Sequence, residues 1–109
     1  MTGVNIKNTE VLMARVYLTE AKAHLESLVK KLNDDHKVQG VTVFRGIAGF
    51  GKSGHIHSSS LLDMSLDLPV VVEFFDEPAK AQALVDELYE LVGPGHIVTW
   101  PAQLAVESD

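Results

Sequence analysis

The sequence predicts an α+β fold in which one antiparallel sheet carries both helices on a single face. The first observation is the order of the apolar patterns, strand, helix, strand, strand, helix, strand, which is the βαββαβ order of ferredoxin-like sandwiches. The second is size, because 109 residues of which 46% are hydrophobic suit one domain with its own core. We therefore expect a single domain over residues 11–109, behind a flexible N-terminal tail at residues 1–10.

The first strand and the first helix follow from a change of apolar period. Residues 11–19, "VLMARVYLT", alternate in the way that a strand does. Residues 20–35 then place apolar side chains at helical spacing, at Ala21, Leu25, Leu28, Val29 and Leu32. Thr19 is the expected N-cap of this helix.

The second and third strands enclose a long irregular segment. Residues 40–46, "GVTVFRG", are rich in β-branched side chains and predict a strand. Residues 69–75, "PVVVEFF", predict the third strand, with proline at its tolerated first position. Between them, residues 47–68 show no helical or strand period, so we expect a long loop.

The second helix has signals at both of its ends. Asp76 is the expected N-cap, and Pro78 suits the first turn. An apolar stripe runs through residues 78–92, and Gly93-Pro94-Gly95 ends it. The last strand is expected at residues 96–106, "HIVTWPAQLAV".

The central strands are apolar on both faces, although the helices would cover only one. Val70, Val72 and Phe74 alternate with Val71 and Phe75. Exposing a second apolar face costs about 25 cal/mol per Å², so we expect further copies of the chain to cover it. The sequence therefore predicts a homo-oligomer.

Composition excludes several classes of protein. A net charge of −6 opposes binding to nucleic acid, and the absence of cysteine excludes disulfides and thiolate metal sites. No apolar run approaches the ~20 residues that span a bilayer. With no signal sequence either, we expect a cytoplasmic protein that does not insert into a membrane.

Residues 36–62 contain no Asp or Glu, yet they carry three basic and three histidine side chains. Within them, Gly46 and Gly51-Lys52-Ser53 satisfy the P-loop pattern of a nucleoside triphosphatase. A P-loop needs a helix directly after its lysine and serine, and "GHIHSSS" has no helical period. We therefore expect the match to be accidental. Of the three hypotheses about function considered below, a P-loop hydrolase is the least favoured. The protein is not expected to be an enzyme.

Three stretches, "GVTVFRGIAGFG", "HIHSSSLLDMSLDLPVVVEFFD" and "GHIVTW", resemble the domain of unknown function 190 family of the PII-like superfamily. The resemblance implies a trimeric sensor whose sheets face inward. It also implies that the long loop corresponds to the PII T-loop, which contacts partner proteins such as a membrane transporter and helps to bind a nucleotide at its base. The chain departs from PII at "FDEPAK", where PII has a second phosphate-binding loop.

The candidate ligand is a small anion, with an adenine nucleotide as the leading example, and no cofactor is assigned. Guanidinium suits phosphate, and glycine backbone can approach an anion closely. A salt bridge of Arg45 with Glu20 or Glu73 is the alternative use of that arginine. The predicted ligand-binding residues are Arg45, Gly46, Gly49, Gly51, Lys52, His55, His57 and Ser58.

Two histidines two residues apart also permit a metal site. In an extended segment His55 and His57 would face the same side and could ligate zinc, nickel or copper. A divalent-metal-binding protein of the CutA type is therefore the alternative reading. Outside the loop, His96 is a weaker candidate for the edge of a cleft between subunits, and Trp100 is expected at a strand end or a subunit contact.

Overall fold

The computed structural model describes residues 5–19, 25–35, 37–49, 57–58 and 68–108. The strands are β1 (Ile6–Thr19), β2 (Gly40–Arg45), β3 (Ala48–Gly49), β4 (His57–Ser58), β5 (Pro69–Asp76) and β6 (Ile97–Glu107). The helices are α1 (Leu25–Lys30), which continues into a π-helical turn at Lys31–Asp35, and α2 (Pro78–Val92). None of the helices in these ranges is long and apolar enough to cross a membrane.

The main sheet confirms the predicted fold class. Four antiparallel strands lie in the order β2-β5-β1-β6, so the two edge strands are β2 and β6. Both helical segments pack on one face, because Leu28 and Leu88 share a single buried cluster with Phe74 of β5. The other members of that cluster are Ala14, Val16, Leu32, Val70, Val72 and Leu84.

The first strand begins at Ile6, not at Val11, so the expectation of a flexible tail is wrong for residues 6–10. These residues continue the β1–β6 ladder in unbroken register, from Val11 opposite Ala102 to Ile6 opposite Glu107. All five residues are solvent-exposed, and four of them are polar. The sequence therefore shows no apolar alternation that would predict a strand here. Their strand conformation comes from hydrogen bonding to β6, which no local pattern in "IKNTE" reports. Ile6–Val11 and Ala102–Glu107 together are called the ribbon below.

Four residues of the long loop form two short strands. Ala48 pairs with Ser58, and Gly49 pairs with His57, in a separate two-stranded ladder. The expectation of a loop without strands is therefore wrong at these positions, where the strands are too short to produce an alternating pattern. Residues 50–56 and 59–67 lie outside the described part of the chain, as do residues 20–24, where the first helix was expected to start.

Of the two predictions about the ends of α2, one is confirmed and one is wrong. Gly93 ends α2 as expected, with a φ of 81° that glycine adopts readily and its N–H bonded to the Tyr89 carbonyl. The N-cap is Glu77 rather than Asp76. Proline favours the first helical position, so Pro78 places the cap on the residue directly before it, while Asp76 is still paired with Leu12 in the sheet.

Candidate functional site

The long loop leaves and rejoins the sheet through a tight contact between Gly46 and Pro69. The Gly46 N–H donates to the Pro69 carbonyl across 2.7 Å, which extends the β2–β5 ladder by one pair. A Cβ at position 46 would lie 2.6 Å from Cγ of Pro69. Glycine is therefore required here by close packing, and the base of the loop is a closed and well-defined point. Sequence reasoning identified Gly46 but not Pro69, its partner.

Arg45 stands directly beside this base. It ends β2 opposite Val70 of β5, and it is exposed. The suggested bridge to Glu73 is wrong, because the alternation of β5 puts Glu73 on the opposite face of the sheet from Val70. Glu73 instead accepts from Arg15. Glu20, the other suggested partner, lies outside the described residues.

Three more predicted site residues meet in the short ladder above the base. The pairing of β3 with β4 sets Gly49 opposite His57, with Ser58 one pair further toward the base. The backbones of these residues and of Gly46 are therefore grouped at one end of the main sheet. Gly51, Lys52 and His55 belong to residues 50–56 and lie outside the described part.

The P-loop pattern lacks its structural context. A helix of two turns starting at Lys52 would need residues 57 and 58 to be helical, and both are in β4. The strand before the pattern, β2, is an edge strand in an antiparallel sheet, whereas a P-loop follows a strand of a parallel α/β sheet. The geometry gives this pattern no role as a P-loop.

The N-terminus of α2 is closed to external anions by the chain itself. The Glu77 carboxylate accepts from the backbone N–H groups of Ala79 and Lys80, both at 3.1 Å. These are the donors that a bound phosphate would use at a helix N-terminus. The acidic connection "FDEPAK" therefore replaces a phosphate-binding loop with an internal cap.

Asp76 is the one buried polar or charged side chain in the described residues, at 3% exposure. Its carboxylate accepts from the Glu77 N–H at 2.7 Å, from Gln39 and from Lys80 at 3.2 Å. Desolvation alone would raise the pKa of Asp76, but these hydrogen bonds and the Lys80 charge together lower the pKa below its ordinary value. Asp76 thus ties the start of β2 to the start of α2.

The face of the sheet opposite the helices is called the open face below; on it, Ala102 and Leu104 of the ribbon line one cavity with Thr42 and Phe75. Its apolar side chains include Phe44, which is 47% exposed, and Val98, which is 51% exposed. The others that alternate onto it within the four-stranded part are Met13, Tyr17, Val71, Phe75 and Trp100. The expectation that both faces of the central strands are apolar is confirmed.

Among the residues that the structure describes, one ion pair interrupts this open face. The Arg15 Nε donates to Glu73 Oε1 at 2.7 Å, and the guanidinium lies 5.4 Å from the centre of the Trp100 ring. The hydrogen bond that Arg15 donates to Glu73, with a further one to the Tyr17 side chain, raises the pKa of Arg15 above its ordinary value. Sequence reasoning missed the pair, although Arg15 and Glu73 both alternate onto the same face.

His96 lies at the same end of the sheet as the loop base, but at the far edge. Its Nδ1 donates to the Tyr17 carbonyl at 2.9 Å, and the Tyr17 N–H donates back to the His96 carbonyl at 2.8 Å. Three strand spacings of about 4.8 Å separate β2 from β6, so His96 and Arg45 lie roughly 15 Å apart. Only a neighbouring copy could bring one edge beside the other.

The described part of the chain contains no group of three or more His, Asp or Glu side chains that could hold a metal ion. The predicted metal pair includes His55, which lies outside it. The CutA-type alternative therefore stays a prediction.

Solved structures share this fold. The CPII protein of Thiomonas intermedia, bound to ADP and bicarbonate, matches with a TM-score of 0.66 and 16% identity over 97% of this chain and 95% of that one. A putative PII-like signalling protein of Thermus thermophilus matches with a TM-score of 0.60 and 13% identity over 92% of both chains. CutA1 of Oryza sativa matches with a TM-score of 0.55 and 12% identity, over 94% of this chain and 84% of its own. The fold is therefore PII-like.

Related sequences point to one family. Two UPF0166 proteins of Aquifex aeolicus are 36% and 39% identical over 69 and 71 residues, which are 63% and 65% of this chain. The matches cover 65% and 71% of the lengths of those relatives. The family model for DUF190, described as "Uncharacterized ACR", matches residues 11–104. This chain belongs to the DUF190 family.

Proposed function

We propose that this protein is a non-enzymatic, PII-like regulatory protein that binds a small anion at the base of its long loop. In this proposal the ligand lies near Arg45, Gly46 and the β3–β4 ladder. Another protein then recognises the loop in its ligand-bound form. The Gly46–Pro69 contact carries the proposal, because it gives the acid-free segment a closely packed base beside which a ligand can bind.

The distribution of charge supports an anion at this position. The chain has a net charge of −6, yet residues 36–62 lack any acidic side chain. An anion is repelled least where the local charge is positive. The other backbone donors suited to phosphate, at the start of α2, already bind Glu77. The loop base is therefore the favoured place.

The chemistry of a structural neighbour supports the class of ligand. The Thiomonas intermedia protein is bound to ADP and bicarbonate, and both molecules are anions. For the present chain we propose an adenine nucleotide as the first candidate. Arginine can hold phosphate oxygens with two parallel N–H donors.

Assembly completes the proposal. The exposed apolar side chains of the open face favour self-association, and we propose a trimer in the cytoplasm. Since Arg45 and His96 lie at opposite edges of one sheet, a cleft between two copies would place them on the same ligand. A membrane transporter as the partner of the loop remains a prediction from the family resemblance alone.

Isothermal titration calorimetry tests the ligand. AMP, ADP, ATP, cyclic dinucleotides, inorganic phosphate and bicarbonate are titrated into wild type and into Arg45→Gln. We expect at least one of them to bind, and we expect Arg45→Gln to weaken that binding about tenfold or more, because a charged hydrogen bond is worth roughly 1.5–3 kcal/mol. Lys30→Gln is the matched control, since it also removes one exposed positive charge, from the last turn of α1.

Two results would count against the proposal. If none of these anions binds to wild type, the ligand part of it is lost. If binding is the same in Arg45→Gln as in wild type, the ligand site lies elsewhere on the molecule. A ligand that weakens equally in Arg45→Gln and Lys30→Gln would indicate only a general effect of net charge.

A further inference from the structure

Two hydrogen bonds to the backbone of Tyr17 fix both the position and the tautomer of His96. The Tyr17 N–H donates to the His96 carbonyl at 2.8 Å, and Nδ1 of His96 lies 2.9 Å from the Tyr17 carbonyl oxygen. A carbonyl oxygen can only accept a hydrogen bond, so Nδ1 must carry a hydrogen. In the neutral ring, Nε2 therefore carries no hydrogen and presents a lone pair.

Nε2 of His96 is accessible to a ligand. His96 is exposed, and within the described residues its side chain makes no further hydrogen bond or ion pair. Gly93 and Gly95 lie in the turn that leads from α2 to His96, with φ of 81° and 83°. A Cβ at either position would meet no atom of the described residues within 4 Å. This turn therefore leaves room for a molecule beside the ring.

The charged groups nearest to His96 are engaged elsewhere. Tyr17 lies opposite it on β1, and Arg15, two residues earlier on that strand, donates to Glu73 and to the Tyr17 side chain. Glu90, in the last turn of α2, lines a groove with α1 instead. Among the described residues, none donates a hydrogen to Nε2, so a ligand must supply the hydrogen for a bond there.

We propose that His96 selects, among small anions, the oxyanions that keep a hydroxyl hydrogen, such as hydrogenphosphate and bicarbonate. The inference rests on the proposed function, in which Arg45 of one copy and His96 of a neighbouring copy share the ligand. Arg45 donates to the negatively charged oxygens, while Nε2 of His96 accepts from the hydroxyl of the same anion.

The selection follows from the lone pair on Nε2. An anion without a hydrogen brings its own lone pairs against that lone pair, so the contact is repulsive instead of bonding. A site that hydrogen-bonds a hydroxyl group discriminates against an analogue that lacks the hydroxyl. Arg45 alone cannot make this distinction, because guanidinium only donates and therefore binds both kinds of anion.

Two pairs of anions with matched charge and similar shape test the selection. At pH 8, hydrogenphosphate and sulfate are both dianions, and only the first has a hydroxyl. Bicarbonate and nitrate are both monoanions, and again only the first has one. The four sodium salts are titrated into wild type by calorimetry at matched ionic strength. We expect each hydroxyl-bearing anion to bind about tenfold or more tightly than the other member of its pair.

His96→Gln and Lys30→Gln show whether His96 is responsible. A glutamine amide can turn either its NH₂ group or its oxygen toward a ligand, so His96→Gln should bind the two members of each pair within about threefold of each other. His96 is exposed, so this substitution should leave the circular dichroism spectrum unchanged. Lys30→Gln should keep the selection of wild type.

Sulfate gives a second test through pH. Histidine ordinarily gains a proton between pH 8 and pH 5, and the protonated ring donates from both nitrogens. Sulfate itself neither gains nor loses a proton between pH 8 and pH 6. We therefore expect wild type to bind sulfate about threefold or more tightly at pH 6 than at pH 8. His96→Gln should lack this gain, although His55 and His57 remain; a gain that persisted there would count against His96.

Nitrogen-15 NMR determines the tautomer without any ligand. At pH 8 we expect the hydrogen of the neutral His96 ring on Nδ1, with the signals assigned by their disappearance in His96→Gln. A neutral ring with its hydrogen on Nε2 would overturn the inference, because that ring would donate to any anion.

The outcomes separate this inference from the proposed function. If Arg45→Gln weakens anion binding while His96→Gln keeps the selection of wild type, the anion site stands and His96 has no part in it. Equal affinities within both pairs in wild type would overturn the selection as well. If none of the four anions binds to wild type, His96 selects no oxyanion, and the titrations of nucleotides decide the proposed function independently.

Discussion

Arg15 and Glu73 face each other across β1 and β5 in the centre of the open face, with 2.7 Å between Nε and Oε1. They are charged residues on a surface that is otherwise apolar around them. An ion pair inside an interface adds little net stability over apolar groups of similar size, but losing one partner leaves an uncompensated charge. We therefore expect the loss of one partner to weaken the oligomer more than the intact pair stabilises it.

We predict that Glu73→Ala raises the concentration at which the oligomer dissociates by tenfold or more. Arg15 would then be buried in the interface without the Glu73 carboxylate that neutralises its charge. The double variant Arg15→Leu, Glu73→Leu should recover most of the loss, because it leaves no buried charge. Sedimentation velocity over a range of concentrations measures both effects. A double variant as weak as Glu73→Ala would show that the charge itself is not the cause.

A second prediction concerns the base of the loop. Gly46→Ala puts a methyl carbon 2.6 Å from Cγ of Pro69, which is closer than two non-bonded carbons can approach. Overpacking of this kind costs about 1–3 kcal/mol of unfolding free energy, which urea denaturation can measure. Pro69→Ala removes the obstructing ring, so the double variant should lose less stability than the sum of the single variants. Additive losses would mean that the two residues do not clash.

The end of α1 gives a third prediction. The Val38 N–H returns to the Leu32 carbonyl at 3.1 Å, and Lys37 between them has a φ of 50°. The closure spans seven residues, because the helix ends in a π-helical turn, and a left-handed residue at a helix C-terminus is usually glycine. Lys37→Gly should therefore stabilise the fold by up to about 1 kcal/mol, whereas Lys30→Gly, within α1, should destabilise it by about 1 kcal/mol. Thermal denaturation distinguishes them, and equal losses would contradict the prediction.

Periodicity was enough to predict the parts of the fold that are set by burial. The helices and the body strands all bury alternating or striped apolar side chains, as Val16, Phe74 and Leu88 show by complete burial. The ribbon residues 6–10 were missed because they are held by pairing with β6 and not by burial. A strand that depends on a distant partner leaves no local signal in a polar sequence.

The sequence indicated where the long loop leaves the sheet but not the contacts that are made there. Glycine and arginine at positions 45–46 suggested the loop base, yet the reason for Gly46 is Pro69, which lies 23 residues later in the chain. Glu73 was one of two suggested salt-bridge partners of Arg45, whereas it accepts a hydrogen bond from Arg15. Such pairings depend on strand order and register, and composition and spacing carry neither.

The final prediction is a pH dependence that arises from Asp76. Its folded-state pKa lies below the ordinary value of an unfolded aspartate, about 3.9. The carboxylate therefore stabilises the fold fully above that unfolded value, and the contribution is lost as the pH falls through the lower, folded pKa. Asp76→Asn should reduce the unfolding free energy at pH 7 by about 1–3 kcal/mol, since buried hydrogen bonds to Glu77, Gln39 and Lys80 are weakened.

Urea denaturation at pH 7 and at pH 3 measures this dependence. The difference in unfolding free energy between wild type and Asp76→Asn should be smaller at pH 3. Protonation of Asp76 in the wild type begins there to remove the negative charge that the substitution removes at every pH. Asp34→Asn is the control, since Asp34 is exposed and its one described side-chain contact is a 3.3 Å hydrogen bond from Asn33; it should match wild type at both pH values within about 0.5 kcal/mol. A difference that persisted undiminished at pH 3 would mean that the Asp76 charge is not what joins β2 to α2.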